Sequence, residues 1–344
     1  MGFRRSEVLP RPLPPLSDRF GIRSPAQLAR DFGEVLLGVF DRSRFQFDLR
    51  SIGLLRPDLS LPAYAAFVPD DGLAPIYNLF DRVGGGSWYS QRVSRRRARD
   101  FRGGRLSYDE HDGTDFVCPI GTPLCAAAPG TVVMIRDRWL RGGLTLAIDH
   151  GDGIVTQYTH CAQALVPVGE AVVRGQPVAL SGAAGIDLVQ FFPWVPPHIH
   201  FMVYVDGRPV DPFVAPGDPP RPGTWAGGNI PFPSGPLPDD RTRPQPSPVD
   251  EARLHDVAAA CRDERICAEI QACASSPPRL AALLEDALAH DAWAWPPSHH
   301  GRTVRPDATP QHTARASEIR ITLPLPETEY RGVRFADTWY TRPQ

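Results

Sequence analysis

The 344-residue chain contains no lysine; its 37 basic residues are all arginine, and its formal net charge is −2. An arginine-only basic complement reads as a coding bias toward GC-rich codons, and so as a bacterial chain. With the charge near balance, nothing global favours nucleic acid or an acidic membrane surface as a partner. Long hydrophobic runs are also missing: no stretch approaches the ~20 apolar residues that cross a bilayer, so no transmembrane segment is expected. The opening MGFRRSEVLPRPLPPL lacks an uninterrupted apolar stretch, because prolines and arginines break it. A classical signal peptide is therefore not expected. The chain would be cytoplasmic, or would leave the cell by a specialised route, as a secreted effector or by lysis. Gly2 and Ser6 fit the loose M-G-x-x-x-S acylation pattern, which is too short to argue for lipidation in a bacterial chain. Six cysteines in a chain of this length do not make a disulfide scaffold, and none forms C-x-x-C. Buried free thiols are expected, with a Cys118–Cys125 bridge as the alternative. Gly84-Gly85-Gly86 is followed by no lysine, so it is a turn and not a phosphate loop.

What the chain does have is proline and glycine, 39 and 30 residues, and a hydrophobic fraction of 42%. The first two imply much loop; the last is enough for a core. The length suits about two or three domains. Residues 1–104 read as an N-terminal extended arm and helical segment. Ser24-Pro25 caps a helix carrying Leu28, Phe32, Val35, Leu36 and Val39 on one face, to about Phe40. Residues 92–105 hold seven arginines, a solvated and partly paired segment or a polyanion contact near a cleft. Residues 105–213 turn to short β-branched and apolar runs: TVVMI (131–135), LTLAI (144–148), IVTQY (154–158), PVAL (177–180) and HIHFMVYV (198–205). Glycine turns separate them without helices between, which predicts a compact antiparallel sheet or sandwich. Residues 214–248, with eleven prolines, form a linker or strap. In residues 249–344 helices return, one capped by Ser247-Pro248 with Leu254, Val257, Ala258 and Cys261 on a face, another by Ser276-Pro277 with Leu280, Leu283, Leu284 and Ala287. An irregular tail follows, with RITLPL (320–325) as a final strand. The fold class is α+β: a mainly β domain with helical flanks.

Five of the ten histidines fall in the β region: His111, His150, His160, His198 and His200. In a strand, residues i and i+2 share a face, so His198 and His200 point together while Ile199 enters the core. A lone imidazole on such a face is usually a satisfied core residue. Two together, with an H-x-x-x-D elsewhere, point to metal. Zinc favours imidazole nitrogen and carboxylate oxygen, and a catalytic site keeps three protein ligands and one open position.

HDGTDF (111–116), GTPLCAAAPGTVV (121–133), YTH (158–160), VGEAVVRGQPVALSG (168–182) and HIHF (198–201) occur in an order that resembles the lysostaphin/LytM-type zinc peptidases, family M23. The resemblance covers about residues 107–213. It implies one zinc ion held by His111, Asp115 and His200, with His160 and His198 as the catalytic pair beside it. His150 matches a turn position and receives no catalytic role. It also implies a LytM-like groove across the sheet, and zinc-dependent hydrolysis of peptide bonds, in peptidoglycan cross-links or stem peptides, by metal-activated water. Which of His160 and His198 is the general base stays open.

Three positions depart from the family pattern. Cys161 follows His160 where leucine is usual, and either packs under the sheet or brings a thiol near zinc. Residues 186–197, IDLVQFFPWVPP, form an insertion whose Phe191, Phe192 and Trp194 make an aromatic wall or a plug. Met202 replaces a common acidic residue, with little consequence expected. The alternative function is a non-catalytic M23-like scaffold that binds a protein partner through its flanking segments. A closed structural zinc site is disfavoured, because no local four-ligand pattern appears.

Overall fold

HIHFMVYV has apolar residues on both of its alternating faces, the mark of a strand covered on both sides. In the computed structural model of the protein this run is one strand, buried along its whole length. The structure describes residues 1–37, 55–78, 112–139, 142–185, 192–213, 228–242, 244–306 and 319–335. His111, Gly84–Gly86, the arginines of 92–105 and Phe191 lie outside the described residues.

The N-terminal segment contributes β1 (Phe3–Arg5), α1 (Leu16–Phe20), α2 (Pro25–Leu37), α3 (Pro57–Tyr64), β2 (Phe67–Pro69) and β3 (Leu73–Asn78). The central segment is all strand: β4 (Thr114–Val117), β5 (Pro123–Cys125), β6 (Gly130–Arg138), β7 (Gly143–Gly151), β8 (Ile154–Ala164), β9 (Ala171–Val172), β10 (Pro177–Ser181), β11 (His198–Val205) and β12 (Arg208–Val210). Helices α4 (Glu251–Ala259), α5 (Glu264–Cys273) and α6 (Pro277–His290) follow, then β13 (Gly332–Phe335). Among the described residues no helix is long and apolar enough to cross a membrane. The architecture is α+β.

Among the described residues the sheet runs β13-β3-β4-β11-β8-β7-β6-β9, with β12 beside β11, and β10 bridging β5 and β8. Neighbours are antiparallel except β13, which lies parallel to β3. One face of β11 sends Ile199, Phe201, Val203 and Val205 into the main core with Phe116, Leu146, Ile148 and Tyr158. Residues Ile319, Ile321, Leu323, Leu325 and Tyr330 cover that core from the far end of the chain. Each buried side chain of this size contributes about 1.5–3 kcal/mol of transfer free energy. The opposite face sends Met202 and Tyr204 into a second cluster with Val133, Met134, Ala147, Val155 and Ala282 of α6. Arg136, buried on β6, clamps the same contact: Nη1 lies 2.6 Å from Asp286 and 3.0 Å from Asp291, and Nε 2.7 Å from Glu269.

Several local expectations shift. Ser24 accepts from the Gln27 amide at the start of α2. The cap of α4 is Asp250, which accepts from the Arg253 amide, and not Ser247-Pro248. Ser247 instead serves the β7–β8 turn, taking the Gly153 amide and donating to Asp149; Cys261 falls beyond the helix. Helix α5, capped by Asp263, was not expected. RITLPL is not a strand: it makes one bridge, Thr322 with Ile230. Pro324 has no amide to give a ladder, and only its carbonyl is used, by Cys125. The final strand is β13. The six cysteines are free thiols.

Candidate metal centre and paired histidines

Pairing of β4 with β11 sets Asp115 opposite His200, and pairing of β11 with β8 sets His200 opposite Thr159, next to His160. Three neighbouring strands thus bring four of the five expected site residues together. His200 Nδ1 lies 2.8 Å from Asp115 Oδ1, and its Nε2 lies 3.3 Å from Asp112 Oδ1. His198 Nε2 is 3.5 Å from Asp115 Oδ2. The His160 ring centre is 4.9 Å from that of His198 and 6.0 Å from that of His200.

The electrostatics of this cluster call for a cation. Asp112 and Asp115 are both buried, and His200 lies between them. Burial alone would push the His200 pKa down; the hydrogen bonds and charges of Asp112 and Asp115 override it and raise it to about 10. A positive charge at this ring is what two buried carboxylates require. Imidazole nitrogen beside carboxylate oxygen is also the donor chemistry that zinc prefers. Asp115 and His200 therefore offer the donor types that zinc takes; His111 lies outside the described residues. Among the described residues no group of three His, Cys, Asp or Glu is arranged to hold a metal.

His160 and His198 share one tautomer. His160 Nδ1 lies 2.6 Å from the Ala184 carbonyl and 3.0 Å from that of Gly142. A carbonyl only accepts, so Nδ1 carries the proton and Nε2 is the basic position. His198 Nδ1 lies 2.8 Å from the Pro196 carbonyl, with the same result. Burial, then the neighbouring His198 and His200, push the His160 pKa down to about 3, so its ring is neutral. The His160 backbone has φ +68°, a left-handed conformation unusual for a non-glycine residue. Gly142 lies tight against the preceding residue of β8: a Cβ there would stand 2.3 Å from Thr159 Cγ2.

The surroundings answer the three departures. Cys161 is buried in the main core, its thiol bonds the Tyr158 carbonyl at 3.3 Å, and burial pushes its pKa up. It packs under the sheet. Met202 fills the cluster beneath α6. Phe192 and Trp194 are half exposed. Phe192 packs edge-on against Tyr64 at 4.9 Å and Phe20 at 5.6 Å, which ties the insertion to the N-terminal segment. Its far end, through Pro196, orients His198. Tyr77 of β3 adds a ring 5.3 Å from His198. Asp112 and Tyr77 had no assigned part in the sequence reading. Asp112 lies inside the H-D-G-T-D run, and its carboxylate beside a glycine was the available signal; Tyr77 left none.

Residues 109–212 match the model of Peptidase family M23, and this stretch is an M23 domain. Among similar proteins, the peptidoglycan DD-endopeptidase ShyA of Vibrio cholerae is 41% identical over 101 residues, 29% of this chain and 22% of that protein. The murein hydrolase activator EnvC of Escherichia coli is 42% identical over 66 residues, 19% of this chain and 15% of that protein. A solved zinc-containing peptidase from Vibrio cholerae is 35% identical, covers 39% of each chain and superposes with a TM-score of 0.28. The chain thus spans under a quarter of the ShyA length that it matches.

Proposed function

We propose that the protein is a zinc-dependent endopeptidase of peptidoglycan cross-links or stem peptides, with His111, Asp115 and His200 as metal ligands and His160 and His198 as the catalytic pair. The observation that carries this reading is the His200 imidazole held between two buried carboxylates, beside two histidines of matched tautomer. Zinc bound there supplies Lewis-acid polarisation of the scissile carbonyl and a more acidic water.

The protein's own groups handle the protons. His160 and His198 each have Nδ1–H fixed on carbonyl oxygen, so each accepts at Nε2. Neither donates until it has been protonated. The first step is therefore acceptance of the proton of the attacking water by one imidazole. The imidazolium so formed faces the developing oxyanion and returns the proton to the leaving amine. The carbonyls of Gly142, Ala184 and Pro196 hold the rings in orientation throughout.

A digest of purified muropeptides, with and without a chelator, tests the reading: chelator-sensitive cleavage of amide bonds is expected. Absence of cleavage by zinc-loaded protein on every peptidoglycan type favours the second reading, a non-catalytic scaffold binding a protein partner through its flanks. The similarity to an activator, EnvC, supports that alternative; the retention of Asp115, His160, His198 and His200 supports the enzyme.

A further inference from the structure

Helix α6 lies against the face of the sheet that carries the histidines, and its last residue reaches the chain just before β4. His290 Nε2 is 3.6 Å from Asp112 Oδ2. The other oxygen of that carboxylate is the one 3.3 Å from His200 Nε2. His290 is itself held, with Nδ1 donating to the Asp286 carbonyl at 2.9 Å and lying 3.2 Å from Asp286 Oδ1. Asp286 Oδ2 is in turn 2.6 Å from Arg136 of β6. Anionic and basic groups therefore alternate from the centre into the helical unit: Asp115, His200, Asp112, His290, Asp286, Arg136.

The chain before β4 is pressed onto the imidazole. A Cβ at Gly113 would stand 2.7 Å from the Phe201 carbonyl and 2.8 Å from both His200 Cε1 and Met202 Cγ. Glycine at this position lets Asp112 reach the far nitrogen of His200. Met202 packs in one cluster with Ala282 of α6, so helix, loop and imidazole are contiguous.

We propose that His290 is a positioning residue of the metal centre. Its ring packs against the Asp112 carboxylate and confines it, so that Asp112 accepts Nε2–H of His200 and leaves Nδ1 directed toward Asp115. The helical unit is then a working part of the site and not an appended module. This rests on the reading of Asp115 and His200 as metal ligands. A carboxylate that orients a ligating histidine is worth roughly 10–100-fold in metal affinity; a residue one contact further out is expected to be worth about 3–10-fold.

The test uses the full chain and cobalt(II) as probe, with affinity measured by chelator competition, the visible ligand-field spectrum recorded, and the urea midpoint of the metal-free protein as a folding control. His290→Ala is expected to weaken cobalt binding about 3–10-fold and to alter the spectrum. Asp112→Asn weakens it further, and adding His290→Ala to Asp112→Asn costs nothing more. Arg138→Ala is the control: Arg138 pairs with Asp291 and Glu269, carboxylates it shares with Arg136 at the end of the run farthest from the centre, and its loss is expected to keep wild-type affinity and spectrum. His290→Gln replaces the alanine variant should that variant fail to fold. Wild-type affinity and spectrum in the His290 variant overturn the proposal, as does equal weakening by Arg138→Ala. Wild-type protein that takes up no cobalt overturns the metal site itself, and this inference with it.

Discussion

The β7–β8 pair carries a buried histidine near each end. At the turn, His150 uses both ring nitrogens inside the sheet, Nδ1 on the Pro129 carbonyl and Nε2 on Thr156 Oγ1, each at 2.8 Å. At the other end, His160 spends only Nδ1, on two carbonyls, and its ring stacks edge-on toward His198. Both are held neutral chiefly by burial. The difference lies in what the second nitrogen faces: a hydroxyl of the same sheet, or a cluster of imidazoles and a carboxylate. Burial and a depressed pKa are common to both histidines; the partner of the second nitrogen separates the one used inside the sheet from the one proposed to take a proton.

The comparison breaks most visibly at the functional end. His200→Ala is expected to lose metal binding and to bring muropeptide cleavage to the level of chelated protein. Metal analysis of the purified variant checks it, and full zinc occupancy would sink the ligand assignment. His160→Ala is expected to retain zinc while cleavage falls about 10²–10⁴-fold, the usual weight of a general acid–base group; zinc loss in this variant would move His160 into the ligand set.

The structural end predicts a pH effect on stability. The His150 pKa falls from 6.5 to about 4 in the folded protein, mainly by burial. Between those values the unfolded chain binds the proton and the folded one does not. Stability from this group is therefore complete above pH 6.5, declines as the pH falls, and is lost by about pH 4, a change of about 3 kcal/mol. Urea midpoints of wild type and His150→Asn between pH 7.5 and 4 should converge toward low pH. Parallel curves would remove His150 as the cause. The smallest effect is expected at Trp194: being half exposed, Trp194→Ala should lower stability by no more than about 1 kcal/mol, and thermal unfolding measures it.

The sequence made the centre of the sheet legible and its surroundings much less so. The β-branched and apolar run HIHFMVYV assigned β11, and the period of two along any strand then gave the shared face of His198 and His200. Ser276-Pro277 likewise marked the start of α6. Ser247 misled because a serine before a proline looks like a cap whether or not its hydroxyl is already engaged at Asp149. RITLPL misled because its apolar residues are buried without a ladder, and burial alone resembles a strand. Asp112 and His290 could not be paired from the sequence: their contact depends on how α6 settles on the sheet, and no local period records that. The tautomers of His160 and His198 depend on carbonyls of Gly142, Ala184 and Pro196, which carry no side-chain signature.

The parallel pairing of β13 with β3 has a consequence for the order of events in synthesis. β3 lies between β4 and a strand encoded after all three helices of the C-terminal unit. Among the described residues, that edge of β3, beside the strand that bears Asp115, has no other strand partner until residues 332–335 have left the ribosome. Such far-separated pairings form slowly, and an unpaired edge invites association with other chains. The nascent protein must therefore carry a nearly complete sheet while some hundred further residues are translated.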